Sequence, residues 1–146
     1  LFDTNFWGVV NGSRIALDRL RARTVGSNGA VGGAIINIGS CLGEGAPIPG
    51  VTIYVSTKFA VQGFTRALSR ELGATGVTVN NVQPGAIDTE MSPDDGGPAA
   101  QMMKKIMSVG RFGRPEEIAS AVAFIASPES AFINGENFTV DGGWNA

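Results

Sequence analysis

The chain contains no histidine. That excludes Ser-His-Asp and Cys-His nucleophile systems and removes a principal zinc ligand. Its single cysteine, Cys41, can form no internal disulfide and has no clustered partner for a metal, so no metal site is expected. Cys41 reads as a small buried filler. Charge is scarce, at 16% of residues with a net of −2. No basic group is larger than Arg19, Arg21 and Arg23. Nucleic-acid binding needs a broad basic surface, so that trio reads as a solvated helix face and no nucleic-acid partner is expected. No apolar run approaches the ~20 residues of a membrane-spanning helix, and no signal peptide is read. The expectation is a cytoplasmic protein without a membrane partner.

What is present is a large apolar share, 43%, and 21 glycines. The first is enough for a core; the second suits an α/β protein with tight turns between strand and helix. One domain over residues 1–146 is expected from the length. The chain opens on Leu1-Phe2-Asp3 with no initiator Met and reads as entering mid-element. A piece of a longer protein is the expectation.

Apolar residues at helical spacing predict a helix over Thr4–Leu20, carrying Phe6, Val9, Val10, Ile15 and Leu17. Val25–Gly33 is glycine-rich loop. Ala34–Ile38 is a short, nearly all-apolar run, as in a strand covered on both faces. Gly43–Gly50 is loop, and the helical period returns over Ser56–Leu72, stopped by Gly73 and Gly76. Val77–Val82 predicts a second strand, ended by Pro84-Gly85. Turn-rich Pro93–Pro98 leads into a Met-rich helix over Ala99–Met107, whose Met102, Met103 and Met107 suit a substrate lid or core or interface packing equally. Pro115-Glu116-Glu117 starts a helix running to about Ala126, with acids facing the macrodipole. Phe138–Val140 is a third strand. Strands alternating with helices predict three parallel strands side by side, with helices on both faces.

The chain has one tyrosine, Tyr54, and the spacing Tyr54-x-x-x-Lys58 places both side chains on one helix face. A positive charge beside a phenol favours the phenolate, which makes an acid–base group from a weak acid. Ser40 lies just past the first strand, and Pro84 to Met91 just past the second. In parallel α/β sheets, sites form beyond the carboxyl ends of strands, the same edge on which the Tyr54 helix begins. A proton-transfer site is therefore expected there.

These residues fall in five ordered blocks: Asn5-Phe6-Trp7-Gly8, Ile36–Gly43, Tyr54–Lys58, Asn80–Thr89, and Gly110–Glu117 through Asn134-Gly135 to Val140–Gly143. In this the chain resembles the C-terminal part of a short-chain dehydrogenase/reductase, most like members that act as 3-oxoacyl-acyl-carrier-protein reductases. The resemblance implies part of a Rossmann-like doubly wound parallel sheet, with the N-terminal half absent. It implies an NAD(P)-dependent oxidoreductase interconverting a carbonyl and a secondary alcohol, with NAD or NADP as cofactor. Tyr54 would be the acid–base, Lys58 would tune it and hold the nicotinamide ribose, and Ser40 would orient the substrate. Asn5 would shape a helix so that water links Lys58 to solvent. Ile87 and Thr89 would contact the carboxamide and phosphate, and Pro84 and Gly85 would let backbone approach the ring. A homo-oligomer, tetramer or dimer, is implied for the complete protein.

Departures accompany the match. Gly39-Ser40 stands where the family usually has two serines, and the Ser40-to-Tyr54 interval is a residue longer than usual. The phosphate-binding glycine loop is missing: Gly26–Gly33 precedes a strand, and Pro47 and Pro49 forbid a helix after Gly43-Glu44-Gly45. By itself this chain is expected to be inactive. The alternative is a non-catalytic relative that senses a cofactor or binds a partner.

Overall fold

The computed structural model describes residues 1–21, 32–92 and 94–146. The loop read over Val25–Gly33 lies outside the described residues up to 31, as do Arg23 and Pro93. Strands β1 (Gly33–Ile38), β2 (Val77–Pro84) and β3 (Asn137–Val140) form one parallel sheet in that order, with Gly33 level with Val77 and Asn81 level with Asn137. The predicted strands are all present, and β2 runs on through Pro84. Pro84 has no N–H to donate, so it suits the last position of the strand.

Helix α1 (Gly8–Arg21) is preceded by a π-helical turn over Asp3–Trp7. Helix α2 spans Thr52–Leu72, starting a turn earlier than its apolar period shows and so carrying Tyr54 in its first turn. Helices α3 (Pro98–Ile106) and α4 (Pro115–Ile125) follow the expected positions. Helices α1 and α2 cover one face of the sheet, where Ile35, Val77, Val79 and Leu72 are buried against Leu17, Leu20 and Leu68. Helix α4 meets β1 and β2, and its buried Ile125 shares a cleft with Ala34 and Thr78, whose side chains alternate away from that first face. A second cluster gathers Cys41, Ala100, Met107, Phe112 and Trp144 past the carboxyl ends of the strands. Met107 is thus core, whereas Met102 is exposed. Among the described residues, no helix is long and apolar enough to cross a membrane, and no group of His, Cys, Asp and Glu suits a metal ion.

The start of α4 carries a charge clamp. Both Glu117 oxygens accept from the Arg111 guanidinium, at 2.7 and 2.9 Å, and Oε2 also accepts from the Arg114 backbone N–H at 2.8 Å. The bond from Arg111, then that from Arg114, holds the Glu117 carboxyl down at about 2. A carboxyl lowered in the folded state stabilises above its ordinary range and loses that contribution as pH falls toward about 2. Melting temperature followed from pH 5 down to 2 should therefore fall less steeply in Arg111→Gln than in the wild type. Identical acid slopes would show that the clamp contributes nothing.

Candidate active site

Ser40 lies two residues past the end of β1 and is buried. It caps a short 3-10 turn, Cys41–Gly43, with its Oγ accepting from the Leu42 N–H at 3.2 Å. That contact uses a lone pair and leaves the hydroxyl proton to donate. Cys41, next in line, is buried as expected. Burial first and the Asp141 carboxylate second push its thiol up to about 11, and hydrogen bonds from Ser40 and nearby backbone offset only part of this. The thiol is accordingly a neutral space filler.

Tyr54 and Lys58 do share one face of α2. The Lys58 Nζ lies 5.5 Å from the Tyr54 ring centroid, within reach of a cation–π attraction. The same Nζ reaches the Ile38 carbonyl, at the carboxyl end of β1, over a long 3.4 Å. Burial lowers the Lys58 ammonium below its usual value, since half-removed water no longer stabilises the charge. Among the described residues Lys58 has one weak acceptor for its three ammonium protons, which leaves donors to spare at the sheet edge.

Asn5 sits in the π-helical turn, and such turns widen the backbone locally and recur at functional sites. Its Nδ2 donates to Thr57 Oγ1 at 3.2 Å, and Thr57 Oγ1 donates to the Tyr54 carbonyl at 2.6 Å. Asn5 is thus tied to the helix of Tyr54 and Lys58 through buried Thr57. Sequence reading gave Thr57 no part; its place inside the Tyr54–Lys58 turn was the available signal.

Residues past β2 divide. The close approach at Gly85 is made by this chain's own backbone: a Cβ there would lie 2.7 Å from Asp141 Cα and 2.9 Å from its carbonyl oxygen. Gly85 therefore lets the 85–89 segment pass over the end of β3, where its N–H donates to the Val140 carbonyl at 3.1 Å. Ile87 bridges to Gly113 and lines a cleft with Ala86, Val109 and Ile118, which Ser40, Tyr54 and Lys58 do not line. Thr89 is exposed, and its Oγ1 accepts from the Ser92 N–H at 3.3 Å within its own turn. That too leaves a hydroxyl proton to donate.

Sequence reading also passed over the polar residues beneath the site. Asn81 and Gln83 are buried on the sheet face that α2 covers, and Gln62 is buried on α2 itself. Gln62 Nε2 donates to the Gly43 carbonyl at 2.6 Å and to Gln83 Oε1 at 2.7 Å. Two signals were there to find them: Gln62 continues the Tyr54–Lys58 spacing, and Gln83 stands inside an otherwise buried strand.

A family model described as Enoyl-(Acyl carrier protein) reductase matches residues 1–145. The chain is 40% identical over 142 residues to a 3-oxoacyl-acyl-carrier-protein reductase of Pseudomonas aeruginosa, covering 97% of this chain and 57% of that protein. It is 44% identical over 115 residues to a cyclic-di-GMP-binding biofilm dispersal mediator protein of Escherichia coli, covering 79% of this chain and 48% of that protein. A short-chain dehydrogenase of Burkholderia cenocepacia, solved in complex with NADP, superposes with a TM-score of 0.87 at 39% identity, covering 99% of this chain and 55% of that one. The chain thus spans about half the length of the curated relatives it matches. With a three-stranded parallel sheet flanked by helices, part of a Rossmann-like fold, and a family match along nearly its whole length, the chain belongs to the short-chain dehydrogenase/reductase family.

Proposed function

We propose that this chain carries the catalytic residues of a cytoplasmic NAD(P)-dependent oxidoreductase that interconverts a carbonyl and a secondary alcohol. The observation that carries the reading is the half-buried Lys58 ammonium beside the Tyr54 ring, at the carboxyl end of β1 where Ser40 follows. The unused Lys58 protons suit the ribose hydroxyls of a nicotinamide cofactor, and the free Thr89 hydroxyl proton suits a phosphate or carboxamide oxygen. Pro84, Gly85 and Ile87 supply backbone and apolar surface between them. That fit supports NAD or NADP, as does the solved relative bound to NADP. When bound, the nicotinamide supplies or accepts hydride at the carbonyl carbon.

The residues of this chain then handle the oxygen. In reduction, negative charge grows on it. Ser40 Oγ and the Tyr54 hydroxyl both donate to it, and Tyr54 transfers its proton. The Lys58 charge stabilises the phenolate left behind, and water held near Asn5 returns a proton through Lys58. In oxidation Tyr54 takes the proton from the alcohol. A 3-oxoacyl thioester or a similar simple ketone is the substrate class, supported by the Pseudomonas relative. The working form is a homo-oligomer, dimer or tetramer, which the exposed Trp7, Ile15 and Phe124 support.

The complete gene product should oxidise NADH or NADPH with acetoacetyl-coenzyme A or another member of a panel of simple ketones. Ser40→Ala should lower kcat about a hundredfold, the usual cost of one oxyanion donor. Wild-type kcat in that variant would remove Ser40 from the mechanism. A second reading, a nucleotide-binding regulator without turnover, is favoured by the similarity to the cyclic-di-GMP-binding protein. It predicts no cofactor oxidation with any member of the panel.

A further inference from the structure

Tyr54, Lys58 and Gln62 stand at successive helical repeats on α2, so the helix presents all three on one face. Buried Gln62 donates from one Nε2 to the Gly43 carbonyl and to Gln83 Oε1. Gly43 ends the turn that Ser40 caps. Gln83 is fully buried, and its Nε2 donates to Glu44 Oε1 at 2.8 Å and to Thr139 Oγ1 at 3.2 Å. The Thr139 hydroxyl donates to the same Glu44 oxygen at 2.8 Å. One connected lattice therefore joins the helix of Tyr54, the turn of Ser40 and the carboxyl ends of β2 and β3.

The lattice has a fixed polarity. An ionised carboxylate only accepts, so Glu44 compels Gln83 to turn its amide nitrogen outward. The Gln83 oxygen must then face Gln62, and Gln62 must donate to it. An amide pair alone has two near-equivalent orientations; the Glu44 carboxylate at one end and the Gly43 carbonyl at the other, both of which only accept, leave one. Space is equally constrained, since a Cβ on Gly43 would lie 3.0 Å from Gln83 Oε1 and 3.1 Å from Gln62 Nε2. The Gln83 oxygen accepts from Asn81 Nδ2 as well, at 3.1 Å, and amides cross-linked in this way hold their elements rigidly. We infer that Gln62, Gln83 and Glu44 are positioning residues that set where the Ser40 hydroxyl stands relative to the Tyr54 hydroxyl. The inference rests on the proposed roles of Ser40 and Tyr54.

A charge exchange tests it. In the complete gene product, assayed with acetoacetyl-coenzyme A and whichever of NADH or NADPH it oxidises, Gln83→Glu puts two carboxylates against each other. Its kcat should fall about 10- to 100-fold, the scale of a small misplacement of catalytic groups. The KM for the cofactor should stay near the wild-type value, because no cofactor-binding group has moved. Adding Glu44→Gln restores one carboxylate facing one amide and should recover most of the lost kcat. Lost packing alone would show no such recovery. Wild-type kcat in Gln83→Glu, or a double variant no better than Gln83→Glu, overturns the inference. If Gln83→Glu does not fold, Gly43→Ala presses on the same amides from the turn and should lower kcat in the same way; wild-type kcat there overturns it. Tyr54→Phe, run alongside, separates the two levels. An inactive Tyr54→Phe beside an unaffected Gln83→Glu sinks the inference alone, whereas an active Tyr54→Phe sinks the underlying reading and the inference with it.

Discussion

Replacing Tyr54 with phenylalanine should lower turnover by about a thousand- to ten-thousandfold in the complete gene product while leaving cofactor affinity near its wild-type value. The substitution removes one oxygen and keeps the ring, so the attraction between Lys58 and the ring face 5.5 Å away survives. The helix is equally spared. Thr57 still donates to the backbone carbonyl of residue 54, and Asn5 still holds Thr57. What disappears is the proton that must reach the substrate oxygen and one of the two donors that meet its growing charge. Each loss alone is worth about a hundredfold or more. Kinetics and cofactor fluorescence titration on the same preparation would check both halves of the statement. Turnover within tenfold of wild type would mean that another group delivers the proton.

Asn80→Ala should destabilise the protein by about 2–5 kcal/mol, read as a shift of the denaturant midpoint at unchanged slope. Asn80 lies wholly buried in the middle of β2. Its Nδ2 donates to the Ile133 carbonyl at 2.9 Å, and its Oδ1 accepts from the Glu136 N–H at 3.0 Å. Beside it, the Val79 N–H donates to Asn134 Oδ1 and the Val79 carbonyl accepts from the Gly135 N–H, both at 2.8 Å. The turn over 133–136, with Gly135 at φ +81°, is thus held to β2 as if it were a further length of strand, and β3 starts from it. Alanine would leave the Ile133 carbonyl and the Glu136 N–H without their partner in a part-buried setting, and each such orphan costs about 1–3 kcal/mol where water is kept out. An unchanged midpoint for Asn80→Ala would show that water replaces both bonds.

Asn80 also marks where sequence reading stops. Val77–Val82 is legible as a strand because β-branched residues crowd it and Pro84-Gly85 closes it. Asn80, Asn81 and Gln83 look, in the sequence, like a weak polar end to that strand. In the structure they are wholly buried. On the face toward α1 and α2, Ile35, Val77 and Val79 give way to Asn37, Asn81 and Gln83 as the strands run toward the site. Periodicity detects burial through apolar side chains only, so a buried amide held by partners far along the chain is invisible to it. The early start of α2 was hidden for a related reason. Its first turn holds Ile53, exposed, and Tyr54, half-buried, so no apolar stripe announces it.

By itself, the sequence determined the order of strands and helices, their parallel arrangement and the shared face of Tyr54 and Lys58. Those follow from local periods and from the handedness of crossovers, which neighbouring residues encode. It also determined the chemistry that is impossible here, because a chain without histidine cannot build an imidazole base. Tertiary structure alone decided that Gly85 yields to Asp141, that Asn5 acts on α2 through Thr57, and that Glu44 orients two amides between Ser40 and Tyr54. Each of these joins residues distant in the chain through one contact a few ångströms long. Such contacts leave no period in the sequence, because they depend on where whole elements come to rest.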